Sequence, residues 1–300
     1  MKHIWLFLKG IAMGAADVVP GVSGGTIAFI TGIYTELLDS IKSINLNALR
    51  ILFNEGPKAA WQAINGTFLL VLGSGVLLAL LSLAKLLHHL LLTQPVLLWS
   101  FFFGLIIASS WHVGKEIEGW NASKVITLLV GTLIAAGISL ASPSSVEATP
   151  LIIFGAGSIA ICAMILPGIS GSFILLLMGL YEPVLGAVKA LELGIMALFA
   201  AGAGIGLLVF SRVLSWCLHH YKDLMFSLLT GFMLGSLVKV WPWKETISTR
   251  MNSKGEEVPF IQSNILPSAE QSETLLLAIV LMIAGAALVL MLEKVASKAD

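Results

Sequence analysis

A proline–glycine break inside an apolar stretch occurs twice in this chain, and six residues in and after the break are the same both times. The two copies lie at 19–34 and 166–181. The matched positions, each pair 147 residues apart, are Pro20 and Pro167, Gly21 and Gly168, Ser23 and Ser170, Gly24 and Gly171, Gly32 and Gly179, and Tyr34 and Tyr181. Proline interrupts a helix, and serine readily begins the next one. A broken helix at corresponding places in two halves is typical of a membrane transport site.

Composition indicates that these breaks lie within a membrane. The chain of 300 residues is 57% hydrophobic and only 11% charged, whereas soluble domains carry roughly 25% charged residues. We therefore expect an all-α polytopic membrane protein. Its 17 basic and 17 acidic residues balance, and no basic block occurs, so nucleic acid is not expected as a partner.

Six further apolar segments are candidates for membrane spans, which need ~20 residues each. They are 67–87, 97–113 and 125–141 in the first half, and 194–217, 224–240 and 274–292 in the second. The match between the halves extends into them, because Gly104 and Ser109 correspond to Gly231 and Ser236 at an offset of 127 residues. The sequence thus predicts two repeats, at 1–142 and 148–300.

The segments that contain the breaks, 4–38 and 151–185, consist of helical pieces too short to cross a bilayer alone. Two short helices joined by Pro–Gly predict a re-entrant hairpin whose tip lies near the middle of the membrane. The alternative is one kinked span across each break. With hairpins, each repeat crosses the membrane three times, so the second repeat is inverted relative to the first.

Lysine and arginine positions predict the orientation. With both termini on one side, 11 of them fall on that side and 6 on the other, and four of the six lie in or beside the segment 241–273. Positive charge favours the cytoplasm, so both termini are predicted to be cytoplasmic. The segment 40–65 is expected to be an amphipathic interfacial segment, and 241–273 a long external loop.

The start of the second helix in each hairpin offers hydrogen-bond donors. Helix N-termini leave amide groups unpaired and carry partial positive charge, and glycine lets a ligand approach the backbone. Two such helix ends that face each other predict a binding site for a small anion. The alternative is that the small residues only permit close packing of the helices. The residues are Ser23, Gly24, Gly25 and Thr26 in the first copy and Ser170, Gly171 and Ser172 in the second, with Ser23 and Ser170 as helix caps.

Six residues are candidates for coupling or gating. A carboxylate inside the membrane is usually functional, which makes Asp17 a candidate proton carrier. The alternatives are that it reaches water at the hairpin tip or caps a local turn, and Met164 stands in its place in the second copy. The other candidates are Tyr34, Glu36, Tyr181, Glu182 and Arg212. Anchoring at the interface is the alternative for the glutamates, and snorkelling is the alternative to phosphate pairing for Arg212.

Metal and hydrolytic chemistry are disfavoured. Adjacent histidines, at 88–89 and 219–220, point to different helix faces, so no metal or other cofactor is expected. Close to the breaks the chain offers hydroxyls and Asp17 but no His, Lys or Arg, whereas a phosphatase needs an activated nucleophile and an acid. The apolar spans favour a lipid phosphate, whose tail stays in the bilayer, over a soluble ion.

These motifs resemble those of a known family. The segments 14–26 (GAADVVPGVSGGT) and 166–172 (LPGISGS) are similar to those of the polyprenyl-phosphate transporter family, PopT, formerly a domain of unknown function. The resemblance covers nearly the whole chain. It implies a bacterial inner-membrane protein that returns undecaprenyl phosphate, the lipid carrier of cell-wall and surface polysaccharides, to the cytoplasmic leaflet, with the motif residues at the head group.

The expected function is therefore an undecaprenyl phosphate flippase, with this lipid and the bilayer as partners and with proton coupling as a further hypothesis. Two alternatives stay open. One is a membrane enzyme resembling a polyprenyl pyrophosphate phosphatase, and the other is a small-anion transporter or channel. A homo-oligomer is compatible with the sequence.

Overall fold

The computed structural model describes residues 2–19, 22–143, 146–251, 257–267 and 272–296. Pro20 and Gly21 of the first break lie outside these ranges. The helices of the first half are α1 (Lys2–Val18), α2 (Gly24–Ile30), α3 (Tyr34–Lys42), α4 (Leu46–Asn54), α5 (Pro57–Ala63), α6 (Gly66–Thr93), α7 (Pro95–Lys115) and α8 (Ala122–Leu140). Those of the second half are α9 (Pro150–Ile165), α10 (Gly171–Leu177), α11 (Tyr181–Lys189), α12 (Leu193–His220), α13 (Lys222–Val240) and α14 (Ser272–Ala296).

Six helices among the described residues are long and apolar enough to cross a membrane, namely α6, α7, α8, α12, α13 and α14. This confirms the all-α polytopic class. Each half contains a hairpin followed by three such helices, and the corresponding elements have similar lengths. Helices α4 and α5 are inserted only in the first half, and a pair of strands only in the second. The opposite membrane orientation of the halves, and their boundaries at 142 and 148, stay predictions.

The chain doubles back on itself at each break. In the second half, the amide of Val146, which precedes α9, donates a hydrogen bond to the carbonyl oxygen of Met178, at the end of α10, over 3.2 Å. In the first half, the ammonium of Lys9 on α1 donates to the carbonyl oxygen of Thr31, just after α2, over 2.8 Å. The second helix of each pair therefore runs back along the first, as a re-entrant hairpin requires and a single kinked span does not.

Equivalent glycines in the two copies end α2 and α10. Gly32 and Gly179 have φ angles of 72° and 71°, a left-handed conformation that glycine adopts without strain. The amides that follow bond back across the helix end, from Ile33 to Ala28 and from Leu180 to Leu175, which is the Schellman arrangement. The next helix then leaves at a steep angle, which is 110° between α10 and α11.

The long helices pack in matched pairs. Within each half, α1 packs on α6 and α9 on α12, whereas the remaining pairs join the two halves, α7 with α14 and α8 with α13. Glycine lets the backbones approach: a Cβ on Gly104 would lie 1.9 Å from the carbonyl oxygen of Met282, and one on its repeat equivalent Gly231 would lie 2.2 Å from that of Leu128. Because two of the four pairs cross between the halves, the core belongs to the whole chain.

The segment inserted in the first half is helical, whereas the one inserted in the second half contains strands. Helices α4 and α5 agree with the predicted amphipathic segment, since Leu46 and Phe53 leave 76% and 78% of their surface exposed. The segment expected to be a loop instead contains two antiparallel strands, β1 (Lys244–Met251) and β2 (Glu257–Asn264), paired from Lys244 opposite Asn264. The polar composition of the whole segment predicted a loop, although its strands contain Ile, Val and Thr, which favour strand structure.

Candidate functional site

The two hairpin tips are buried and hydrogen-bonded to each other. The hydroxyl of Ser23 donates a hydrogen bond to the carbonyl oxygen of Met164 over 2.6 Å, and the amide of Gly168 donates to the Thr26 hydroxyl over 3.0 Å. Ser23 and Thr26 are 1% and 0% exposed. Beside them, a Cβ on Gly25 would lie 2.2 Å from the carbonyl oxygen of Ile165. The structure thus brings the two copies of the motif into direct contact.

Tyr34 adds a third bond between the tips. Its buried hydroxyl donates to the carbonyl oxygen of Ile165 over 3.2 Å, and the ring of Phe29 packs edge-on against it at 5.1 Å between centres. Its repeat equivalent, Tyr181, packs instead in a separate apolar cluster with Leu175 and Leu180. The two tyrosines therefore do not have equivalent places.

The amide groups at the first tip are already bonded within their own hairpin. The Gly24 amide donates to a carboxylate oxygen of Asp17 over 2.7 Å, the Gly25 amide to the Ser23 hydroxyl over 3.0 Å, and the Thr26 amide to the Ser23 carbonyl over 2.9 Å. The predicted capping by Ser23 is confirmed. Asp17 places a built-in carboxylate at the N-terminus of α2, where its charge is favoured by the helix dipole.

The second tip has the opposite character. Ser170 occupies the cap position but makes no capping bond, so the prediction that it caps α10 is wrong; its hydroxyl bonds that of Ser172 instead, over 2.9 Å. The amides of Gly171, Ser172 and Phe173 have no acceptor among the described residues. Since Met164 replaces the aspartate here, the two tips share a backbone shape but differ in electrostatics.

The remaining predicted residues lie away from the tips. Glu36 accepts a hydrogen bond from the Asn65 side chain, over 2.9 Å, before α6 begins. The guanidinium of Arg212 donates to the carbonyl oxygens of Leu208, over 2.7 Å, and of Ile44, so it ties α12 to the turn after α3. Glu182 lies in the first turn of α11.

A polar network that the sequence analysis did not identify joins α3 to α12. The Ser215 hydroxyl donates to the Asp39 carboxylate over 2.6 Å, the Lys42 ammonium donates to Ser215 over 3.1 Å, and His219 lies 3.6 Å from Asp39. Asp39, Lys42 and His219 line a cavity of about 540 Å³. The spacing of Ser215 and His219, one helical turn apart, was the available signal.

Two lysines near the second tip were not predicted to be functional, because their positions in the sequence indicated only membrane orientation. The Lys239 ammonium lies 4.1 Å from the centre of the Phe173 ring, and that of Lys244 lies 4.1 Å from the centre of the Trp99 ring. Lys244 also donates to the carbonyl oxygen of Lys239 over 2.5 Å. Burial, reinforced by the like charge of Lys239, lowers the pKa of Lys244 to about 7.

The fold and the contact between the tips define a class of protein: a multi-pass membrane protein with two broken helices in contact, an arrangement typical of transporter substrate sites. Within the described ranges, no group of three His, Cys, Asp or Glu side chains could hold a metal ion.

Comparison with known proteins gives the family. Residues 13–258 match the model of the VCA0040-like family, described as undecaprenyl phosphate translocase-like, and the chain belongs to this family. It is 52% identical over 303 residues to a polyprenyl-phosphate transporter of Vibrio cholerae, covering 99% of this chain and 98% of the relative. It is 38% identical over 258 residues to a polyprenyl-phosphate transporter of Staphylococcus aureus, covering 79% of this chain and 86% of the relative. No solved structure is detectably similar.

These comparisons confirm the resemblance stated from the motifs. They also confirm that the chain is of the transporter class and not an enzyme, since the family and both relatives are described by transport.

Proposed function

We propose that this protein is an undecaprenyl phosphate flippase that returns the lipid carrier to the cytoplasmic leaflet of the bacterial inner membrane, with both termini in the cytoplasm. The observation that carries the proposal is the contact between the two motif copies, made through the Ser23 and Thr26 hydroxyls. The names of the relatives support the substrate class.

Phosphate binding and tip separation are coupled in this proposal. The Ser23 hydroxyl, which now donates to the Met164 carbonyl, turns to a phosphate oxygen when the tips part. Donors to a charged oxygen form stronger hydrogen bonds than donors to a carbonyl, so the head group offsets the loss of the contact between the tips. The proposed phosphate site consists of Ser23, Gly24, Gly25, Thr26, Ser170, Gly171 and Ser172.

Asp17 is the proposed coupling group. Its carboxylate holds the Gly24 amide, which is one of the donors that the phosphate would use, so the two anions compete for the same N-terminus. Protonation of Asp17 removes its charge, weakens its hold on the amide and lowers its repulsion of the phosphate. A proton would then accompany the head group.

Leaflet exchange in proteoliposomes tests the function. A fluorescent undecaprenyl phosphate, scored by its accessibility to a membrane-impermeant quencher, should exchange with the wild-type protein and much more slowly with the double variant S23A/S170A. The matched control is S74A, because the exposed Ser74 hydroxyl bonds only the Val71 carbonyl of its own helix. An unchanged exchange rate in S23A/S170A would show that the assigned phosphate site is wrong.

Two further experiments test the alternative functions, which are a polyprenyl pyrophosphate phosphatase and a small-anion transporter. Phosphate release from undecaprenyl pyrophosphate by the purified protein should be absent. Uptake of inorganic phosphate into vesicles made without prenyl lipid should also be absent, and its presence would favour a small-anion transporter over a lipid transporter.

A further inference from the structure

Two partly buried lysines lie beside the second tip, where α13 ends and β1 begins. Lys239 lies in the last turn of α13, and its ammonium covers the ring of Phe173, the third residue of α10. Lys244 is the first residue of β1, and its ammonium covers the ring of Trp99 near the start of α7. Four elements therefore meet around the two lysine side chains.

Neither ammonium has a carboxylate as a partner. Among the described residues, no Asp or Glu oxygen lies within 4 Å of Lys239 or Lys244, and Lys244 has only the backbone carbonyl of Lys239 as its acceptor. Aromatic faces take the place of an anion at both lysines. Two neighbouring cations that are partly removed from water, with no counter-charge, form a site that an anion would stabilise.

A buried polar group close in sequence to these lysines has no acceptor among the described residues. Trp243, which precedes Lys244 in the chain, is 5% exposed, and its indole N–H has no acceptor among the described residues. The end of β2 lies over the same region, since the Asn264 side chain donates to the carbonyl oxygen of Val238 over 2.8 Å. The β1–β2 hairpin thus forms one wall beside the lysines.

We propose that Lys239 and Lys244 together bind the phosphate of a lipid phosphomonoester, between the second hairpin tip and the β1–β2 hairpin. This site rests on the proposed function, because Phe173 follows Ser170, Gly171 and Ser172 of the proposed head-group site directly. A phosphomonoester carries close to two negative charges near neutral pH, which matches two ammonium groups, and lysine binds phosphate as a point charge. With the predicted orientation, the lysines face the outer leaflet and capture the head group before the tips receive it.

A purely structural role makes a different prediction. Lys244 bonds a carbonyl at the C-terminus of α13, where a cation is favoured, and Lys239 could simply rest on Phe173. Replacing lysines with only these roles would change thermal stability but not the affinity for a phosphate ligand. Affinity for a charged ligand relative to an uncharged one therefore separates the two explanations.

The test measures binding to the purified full-length protein in detergent at pH 7. The probe is farnesyl phosphate, farnesol is the uncharged reference, and inorganic phosphate is the competitor. The variants are K239Q, K244Q and the double substitution, with K239R and K244R as variants that keep the charge. K85Q is the matched control, because Lys85 is an exposed lysine of α6 on the same predicted side.

We expect each Gln variant to bind farnesyl phosphate about 10- to 100-fold more weakly, and farnesol as the wild type does, while the Arg variants and K85Q keep their affinity. Wild-type affinity in the double Gln variant overturns the lysine site and leaves the proposed function intact. Lysine-dependent binding of inorganic phosphate or phosphatidic acid without preference for a prenyl chain supports the lysine site and counts against the proposed function. A wild-type protein that binds no phosphate ligand overturns both.

Discussion

The hydroxyl of Ser23 and the carbonyl oxygen of Met164, 141 residues apart in the chain, lie 2.6 Å from each other. Met164 stands at the position that Asp17 has in the first copy. The bond therefore runs from Ser23, which caps α2 in the first hairpin, to α9 in the second hairpin. It is one of three that close the tips, together with those of Thr26 and Tyr34.

The first prediction is that loss of the Ser23 hydroxyl lowers the stability of the folded protein more than loss of the Ser170 hydroxyl does. S23A removes the donor to the Met164 carbonyl and the cap of α2, so we expect it to lower the free energy of unfolding by about 1–3 kcal/mol. S170A should have a smaller effect, because the Ser170 hydroxyl bonds only Ser172. Thermal unfolding of both variants in detergent measures the difference. Equal melting temperatures would contradict the asymmetry of the tips.

The second prediction concerns Asp17. D17N keeps an oxygen that can accept from the Gly24 amide but cannot release or take up a proton. We expect a stably folded protein whose leaflet-exchange rate no longer changes with pH, whereas the wild-type rate does. The measurement is exchange in proteoliposomes at several pH values, with melting temperature as the folding control. A D17N profile that follows the wild type would show that the proton is carried elsewhere.

The third prediction tests the close pairing of α7 and α14. G104A puts a Cβ 1.9 Å from the carbonyl oxygen of Met282, so the helices must move apart; we expect a loss of about 2–4 kcal/mol in stability, as for severe overpacking. The matched control is G137A, because nothing lies within 4 Å of a Cβ at exposed Gly137 and alanine is the better helix former. Comparable stability of the two variants would argue against the pairing.

The fourth prediction follows from the pKa of Lys244, which burial and the neighbouring Lys239 lower to about 7. In the unfolded chain the pKa is ~10.4, so between these values the unfolded state binds more protons and the stability of the folded state rises with pH. The slope is at most about 1.4 kcal/mol per pH unit. Chemical unfolding at pH 7, 8 and 9 should show this rise in the wild type and a smaller one in K244M.

A related test uses ligand affinity. Phosphate bound at Lys244 favours its charged form, so affinity should fall as pH rises above about 7. Since phosphomonoesters are already dianionic above pH ~7, a fall between pH 7.5 and 9 reports the lysine and not the ligand. An affinity that stays constant over this range would mean that Lys244 is not at the phosphate.

The repeat in the sequence predicted that the two motifs meet, and local residues were enough to predict the hairpins and the spans. Pro167 and Gly168 break an apolar run, and Gly32 and Gly179 allow the left-handed turns that end the returning helices. Capping by Ser23 follows from the same kind of local rule. None of these features needs information about distant contacts.

Most of what could not be predicted depends on contacts between distant residues. The pairing of Ser170 with Ser172 is a local exception, and it arises because the second copy has Ser172 where the first has Gly25. Lys239 and Lys244 acquire a shared environment only when α7 and α10 bring Trp99 and Phe173 to them. The strands at 244–264 were hidden by their polar composition.

The pairing of α7 with α14 has a consequence for how the protein is made. Gly104 contacts Met282, so α7 leaves the ribosome long before its partner has been synthesised. Until α14 is inserted, the face of α7 that contains Gly104 can be covered only by lipid or by an insertion factor. Assembly of this helix pair therefore waits for the synthesis of α14, and removal of α14 would leave uncovered the face of α7 that contains Gly104, a surface for membrane proteases to recognise.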